Sequence, residues 1–185
     1  MHHDELWQLF ARNGEPIPGE GWQSGLGNPE VTKNDEIVGI SIVFLYRFSK
    51  DGELEFLWQH RSEKIDRYPG KWDISAGGHI NLGESAVQAA IRETYEEIGA
   101  KITADDLEYG FMQPFNKNRF AWLFFVDWTD CDGTFAFNDN EVSEVCWVKY
   151  SEMEKFRKEF AKEPLAKDDI AFELIDEWMK MHGKI

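Results

Sequence analysis

Three glutamates of this chain, Glu93, Glu96 and Glu97, have types and spacing that could do chemistry. They stand at positions i, i+3 and i+4, so a helix would bring them to one face. Like charges at this spacing destabilise a bare helix, and the neighbouring Arg92 can offset one carboxylate but not three. A divalent cation such as Mg²⁺ or Mn²⁺, which prefers oxygen ligands, would compensate the rest. The alternative is a solvated acidic face in a Glu-rich chain.

The segment around these glutamates resembles the Nudix box, whose pattern is G-x5-E-x7-R-E-U-x-E-E-x-G-U with U apolar. The fixed positions match at the required spacing and are Gly78, Glu84, Arg92, Glu93, Glu96, Glu97 and Gly99. Two apolar positions depart from the pattern, Thr94 and Ala100, and they concern packing rather than chemistry. The strand order around the box extends the resemblance across most of residues 37 to 150.

The resemblance implies a Nudix fold: a mixed β-sheet sandwiched between α-helices, of the α/β (α+β) class. It also implies hydrolysis of a small-molecule diphosphate that is linked to another moiety, with Mg²⁺ or Mn²⁺ as cofactor. By the same resemblance Glu96 and Glu97 become metal ligands, and the Gly78 carbonyl becomes a third. Glu93 becomes either a ligand or the base that prepares a water molecule. General chemistry agrees, because cations stabilise phosphoryl charge and acidify bound water.

Three further residues take supporting roles in this interpretation. The resemblance implies that Arg92 orients the carboxylates and that Glu84 pairs with Arg92 rather than touching metal. Nudix enzymes often supply one more carboxylate, as base or extra ligand, from the loop before the last core strand. Glu141 is the candidate for that carboxylate, and a solvated loop carboxylate is the alternative.

One basic stretch, residues 60–71, has a net charge of +2 in a chain whose net charge is −15. An anionic substrate needs such a stretch, so Arg61, Lys64 and Lys71 are candidate phosphate contacts, with scattered surface charge as the alternative. Aromatic residues could stack on a planar group, although core packing explains most buried aromatics. The candidates for stacking are Trp22, Trp72, Phe115 and Trp122. His79 is interpreted as a loop histidine with satisfied hydrogen bonds.

Strands alternate with helices along the chain, which predicts a mixed sheet with helices on its faces. The predicted strands are 37–48, 54–61, 72–76, 107–115, 119–128 and 142–150. Three helices are predicted. Two of them, 85–98 and 151–158, each begin with a capping box, and the third begins after a cap at Asp168 or Asp169. Residues 13–34 are rich in Gly and Pro and predict a long loop.

We expect one domain over residues 1–185, with a core of about 37–150, an N-terminal extension 1–36 and C-terminal helices 151–182. No apolar stretch is long enough for a membrane span, and the acidic composition argues against binding a nucleic-acid polymer. The two cysteines, Cys131 and Cys146, are predicted to be buried thiols. With no visible signal peptide, this favours a cytoplasmic protein. The oligomeric state stays open, although many members of the family are homodimers.

Two other functions remain open. The segment Trp72–His79 is similar to the isopentenyl diphosphate isomerase branch of the fold, but those isomerases need a cysteine shortly after this tryptophan, and no cysteine precedes Cys131. The chain therefore resembles that branch, but it keeps the intact Nudix box that is typical of a hydrolase. The other alternative is a catalytically silent Nudix module that binds a nucleotide and regulates a partner. The sequence does not indicate which diphosphate is the substrate.

Overall fold

The computed structural model describes residues 5–23, 36–116, 119–131, 133–138 and 140–185. Its centre is strand β3 (Ile37–Phe48), which is buried from Ile37 through Tyr46. The strand is rich in β-branched and aromatic residues, which favour a strand covered on both faces. In numbering that follows the chain, β3 pairs antiparallel with β1 (Leu6–Phe10) and parallel with β8 (Arg119–Asp127).

The remaining strands extend the sheet on both sides of β3. They are β2 (Pro16–Gln23), β4 (Leu54–Arg61), β5 (Trp72–Asp73), β6 (Ala76–His79), β7 (Glu108–Asn116) and β9 (Val142–Lys149). β2 pairs with β1, β7 with β8, and β9 with β4, all antiparallel. The sheet is therefore mixed, as predicted.

The strands β3 and β4 separate after a short pairing, and this separation makes room for the site. They pair only where Tyr46–Phe48 lies opposite Leu54–Phe56; earlier in β3, residues 40–43 pair with β6, and later in β4, residues 59–60 pair with β5. Ser75 lies buried in the fork, where its hydroxyl donates to the Leu57 carbonyl at 2.7 Å and accepts from the Leu45 amide at 2.9 Å. The predicted strand 72–76 is thus wrong as one strand, because the chain crosses from β4 to β3 there.

Helices cover both faces of the sheet. Helix α1 (Ala86–Ile98) packs on the side chains of Val43 and Leu45, on one face of β3. The helices on the other face are α2 (Tyr150–Phe160), α3 (Glu163–Lys167) and α4 (Asp169–Met181). They pack on the alternate residues of β3, and the α4 residue Trp178 stacks on Phe125 with 4.0 Å between ring centroids. The predicted arrangement, a mixed sheet between helices, is confirmed.

The N-terminal segment contributes two strands that the sequence did not reveal. β2 lies inside the predicted loop 13–34, so that prediction is wrong for Pro16–Gln23, while residues 24–35 fall outside the described part. Pro16 and Pro18 are compatible with β2 because it pairs with β1 alone among the described strands, and an edge strand tolerates proline.

Three smaller predictions also need correction. The capping box predicted at Ser151 is absent, because α2 begins one residue earlier, after Lys149, without a side-chain cap. The short helix α3 was not predicted. Cys131 is exposed rather than buried, and Cys146 is partly buried. Within the described residues, no helix is long and apolar enough to cross a membrane.

Candidate active site

Helix α1 is held at both ends, and this sets the direction of its glutamates. Ser85 is the N-cap, and its hydroxyl accepts from the Gln88 amide while the Gln88 side chain accepts from the Ser85 amide. Gly99 ends the helix in the left-handed conformation at φ 68°. An added Cβ on Gly99 would lie 2.7 Å from the Ala136 carbonyl oxygen, so only glycine fits this end. The capping box predicted for this helix is therefore confirmed.

Glu97 is the most deeply buried of the three glutamates, with 5% of its surface exposed. Its Oε2 accepts from the Gly77 amide at 2.9 Å and from Gln59 Nε2 at 3.1 Å. Burial, reinforced by the charge of Glu93, raises the pKa of Glu97 well above its usual range. A buried carboxylate next to another is costly unless a proton or a cation neutralises it.

Glu93 lies against the box loop, residues 78–85, which links β6 to α1. An added Cβ on Gly78 would come within 2.1 Å of Glu93 Oε1, so the loop can approach the carboxylate only through a glycine. Burial raises the pKa of Glu93 to about 7, although the charge of Arg92 opposes this. In the metal-free protein the charged form of Glu93 is therefore disfavoured by its burial, and a cation bound beside it would favour that form.

Arg92 is the charge partner of the other box glutamates. It contacts Glu84 through two hydrogen bonds of 3.0 Å, Glu93 at 2.7 Å and Glu96 at 3.0 Å. Its Nη2 also donates to the His79 carbonyl at 2.9 Å, which ties α1 to the box loop. Glu96 remains about half exposed.

The carboxylates are suitable ligands for a hard cation, but they do not form a preorganised metal site. Within the described residues, no three His, Cys, Asp or Glu side chains already converge on one point as a metal cluster. Arg92 instead engages Glu93 and Glu96, so a cation would compete with the guanidinium for these oxygens. Glu93 and Glu97 supply the oxygen ligands that Mg²⁺ or Mn²⁺ prefers. A bound cation would stabilise their charged forms and so lower their raised pKa values.

A second wall of the site comes from β4 and β5. Arg61 contacts the buried Asp73 at 3.3 Å, and Asp73 also pairs with Lys162, which lies between α2 and α3. The charges of Asp73 and Arg61 both act on Glu97, in opposite directions. Sequence reasoning named Arg61 but missed Gln59 and Asp73, since a single polar residue inside a strand carries no distinguishing pattern.

The other predicted site residues outside the box, Lys64, Lys71 and Glu141, lie around the end of β4. The side chains of Lys64 and Lys71 are exposed and make no hydrogen bond or ion pair with described residues. Glu141 is partly buried, and its backbone carbonyl accepts from the Ser62 amide at 2.7 Å. Glu141 therefore lies beside the end of β4, one residue before Val142, which pairs with Arg61.

Two of the four aromatic candidates pack in the core. Trp72 packs on Phe156 at 5.5 Å and Trp122 on Phe10 at 4.8 Å between ring centroids, so both belong to the core. Phe115 has a side chain outside the described part. Trp22 pairs with Trp7 across β1 and β2.

His79 stacks on Trp7 with ring centroids 3.5 Å apart and planes at 4°. Its Nε2 is buried with no hydrogen-bond partner in the described part, so the interpretation as a satisfied histidine is wrong.

Comparison with known proteins places this geometry in one family. Residues 37–168 match the family description NUDIX domain. A protein of Arabidopsis thaliana described as Nudix hydrolase 3 is 35% identical over 129 residues, which cover 64% of this chain and 16% of that protein. The uncharacterized Nudix hydrolase YfcD of Escherichia coli K12 is 32% identical over 134 residues, covering 72% of this chain and 69% of that protein.

Solved structures share the fold. DR0079 from Deinococcus radiodurans superposes with a TM-score of 0.67 at 22% identity, covering 88% of this chain and 96% of that one. An Ap4A hydrolase from C. elegans, solved as a binary complex, has a TM-score of 0.54 at 21% identity and covers 80% of this chain and 100% of that one.

Proposed function

The chain belongs to the Nudix hydrolase family, and on that premise we propose that it is a Mg²⁺- or Mn²⁺-dependent enzyme. It cleaves the diphosphate bond of a nucleoside diphosphate-linked or related small molecule, with water as the nucleophile. Members of this family generally hydrolyse nucleoside diphosphate derivatives. The observation that carries the proposal is the buried pair Glu93 and Glu97, whose pKa values are both raised on the face of α1 that meets the box loop.

Glu93, Glu96 and Glu97 would hold the cation, together with the Gly78 carbonyl. When bound, the cation stabilises negative charge on the phosphoryl oxygens and makes bound water more acidic. Glu97 is held in place by Gly77 and Gln59, so its position is preorganised. Arg92 would then give up part of its contact with Glu93 and Glu96. Glu84, which already binds Arg92 through both carboxylate oxygens, would keep the guanidinium in place.

Two carboxylates are candidates for the base that accepts the proton of the attacking water. Glu93 is supported by its position against Gly78, beside the other proposed cation ligands. Glu141 is supported by its location beside the end of β4, near Arg61.

Arg61 is the favoured phosphate contact of the basic stretch. Its guanidinium is mostly buried, and Asp73 together with the Arg67 carbonyl holds it in one orientation. A fixed guanidinium next to the carboxylates could bind phosphoryl oxygens through paired hydrogen bonds. The exposed Lys64 and Lys71 would contribute long-range attraction for an anionic substrate.

A screen of a diphosphate library with Mg²⁺, with identification of the products, tests this function. We expect hydrolysed products with the wild type, and loss of turnover in EDTA or in Glu97→Gln. Glu159→Gln, an exposed change on α2, serves as the control. A rearranged prenyl diphosphate would instead show an isomerase, and tight nucleotide binding without turnover would show a regulator. Either outcome contradicts the proposal.

A further inference from the structure

The N-terminal strand β1 lies against the box loop that leads into α1. Both β1 and β2 precede residues 37–168, the part of the chain that matches the family. Trp7 of β1 pairs antiparallel with Asn81 of the box loop, and two backbone hydrogen bonds of 2.7 Å and 2.8 Å flank this pair. The box loop is therefore held by a part of the chain that lies outside the family match.

The side chain of Gln8 in β1 adds a further contact with this loop. Gln8 is 4% exposed, and its Oε1 accepts from the Gly83 amide at 3.0 Å. Its Nε2 donates to the Leu9 carbonyl at 2.8 Å and to the Ile17 carbonyl of β2 at 2.9 Å. Both N–H groups and the carbonyl of this amide are thus engaged, so the acceptor is fixed towards the loop.

Gly83 lies in the turn that orients Glu84. The Glu84 amide donates to the Asn81 carbonyl at 2.9 Å, and the Asn81 amide donates to Glu84 Oε2 at 2.9 Å. These two bonds close the turn around Gly83, and Gln8 holds it from the side of β1. The direction of the Glu84 carboxylate therefore depends on the contact between Gln8 and Gly83.

Glu84 in turn connects this turn to the glutamates of α1. It binds Arg92 through both carboxylate oxygens, at 3.0 Å each. The same guanidinium contacts Glu93 at 2.7 Å and Glu96 at 3.0 Å. A continuous chain of hydrogen bonds thus leads from Gln8 to two of the carboxylates that would bind the cation.

We propose that Gln8 is a positioning residue of the active site. It fixes the Gly83 amide, and through Glu84 and Arg92 it keeps the glutamates of α1 placed to bind the cation. This inference rests on the proposed function, and it adds the N-terminal strands to the scaffold of the active site. A Gln8 with a structural role alone would stabilise the fold without affecting Mg²⁺ binding.

Amide hydrogen exchange, followed by NMR in the metal-free protein, tests the first contact. We expect a protected Gly83 amide in the wild type, and Gln8→Met should lower its protection about tenfold, as for loss of a buried hydrogen bond. Tyr46→Phe is the matched control, because it also removes a hydrogen bond of a buried side chain, at the end of β3 that pairs with β4. An unprotected Gly83 amide in the wild type would overturn the proposal without any variant.

Calorimetry with Mg²⁺ alone tests the effect on the metal site. Gln8→Met should bind Mg²⁺ about tenfold more weakly than the wild type, and Tyr46→Phe should bind it equally well. At saturating Mg²⁺, kcat of Gln8→Met should fall about tenfold with KM nearly unchanged, because the proposed phosphate contact Arg61 is not altered. Should Gln8→Met fail to fold, Gln8→Asn carries the same test, because its amide is one methylene further from Gly83.

The outcomes separate this role from the proposed function. An unchanged Mg²⁺ affinity in a folded Gln8→Met that has lost the protection of Gly83 would overturn the positioning role and leave the proposed function standing. An equal loss of Mg²⁺ affinity in Tyr46→Phe would mean that stability alone decides the affinity, and it would overturn the role as well. A wild type that neither binds Mg²⁺ nor hydrolyses any diphosphate would overturn the proposed function and, with it, the role of Gln8 in the metal site.

Discussion

Glu93 and Gly78 meet so closely that a single added methyl group would separate them: a Cβ on Gly78 would lie 2.1 Å from Glu93 Oε1. The contact joins α1 to the end of β6, on the face that also holds Glu97. Glycine is therefore needed at position 78, since a side chain there would push the Glu93 carboxylate away from its position.

The change Gly78→Ala tests that contact. We expect the fold to survive, because Glu93 can move outward along α1, while Mg²⁺ affinity and turnover fall together. Calorimetry with Mg²⁺ and initial rates measure the two effects, and circular dichroism checks the fold. Unchanged Mg²⁺ affinity in a folded variant would show that the Glu93–Gly78 contact does not belong to a metal site.

The buried Glu97 should lower the stability of the metal-free protein. Glu97→Gln keeps an acceptor for Gly77 and Gln59 but removes a buried charge, so we expect a higher unfolding temperature in EDTA at pH 8. Turnover should fall by orders of magnitude, and Mg²⁺ should no longer raise the unfolding temperature. Thermal unfolding with EDTA and with Mg²⁺ measures both. A variant less stable than the wild type in EDTA would contradict this explanation.

The raised pKa values of Glu93 and Glu97 predict a pH dependence of the metal-free protein. The folded chain retains protons that the unfolded chain releases near the ordinary pKa of 4.5, so stability falls as pH rises from 4.5 towards the folded pKa of about 7 for Glu93. Unfolding by urea in EDTA between pH 5 and 8 measures the slope. The double variant Glu93→Gln with Glu97→Gln should remove much of it, and an identical slope in both proteins would contradict the prediction.

The two proposed capping boxes give a matched pair of variants. Ser85→Ala removes the hydroxyl that caps α1 and should cost about 1 kcal/mol of stability. Ser151→Ala should cost little, because α2 begins before Ser151 and has no side-chain cap. Urea unfolding of both variants compares them directly. Similar losses for the two would mean that Ser151 caps a helix after all.

Asp73 connects Arg61 and Lys162 beside Glu97, and we expect Asp73→Asn to be strongly destabilising. Removing one partner of a buried ion pair typically costs about 3 kcal/mol, because the remaining charges lose their partner. Substrate KM should also rise, since Arg61 would lose its fixed orientation. Glu154→Gln breaks an exposed pair with Lys158 and serves as the control, with no measurable change expected. A fully stable Asp73→Asn would refute the role assigned to this cluster.

The box helix could be predicted well from sequence because its determinants are local. The i, i+3 and i+4 spacing of the glutamates, the cap at Ser85 and the stop at Gly99 all act within a few turns of chain. The long strands β3 and β4 were predicted with the bounds that the structure has, because runs of buried apolar residues mark them clearly. The strands β1 and β2 escaped prediction because one is short and the other is rich in proline and glycine.

The sequence by itself determined the family and the carboxylate helix, because these follow from residue types at fixed local spacing. Only the tertiary structure decided which distant residues surround them. Gln59 donates to Glu97 and lies opposite Asp73 because β4 and β5 pair across the fork, and Gly78 comes to face Glu93 because β6 pairs with β3. Such neighbours depend on strand register over tens of residues, and register is set by the packing of the whole sheet.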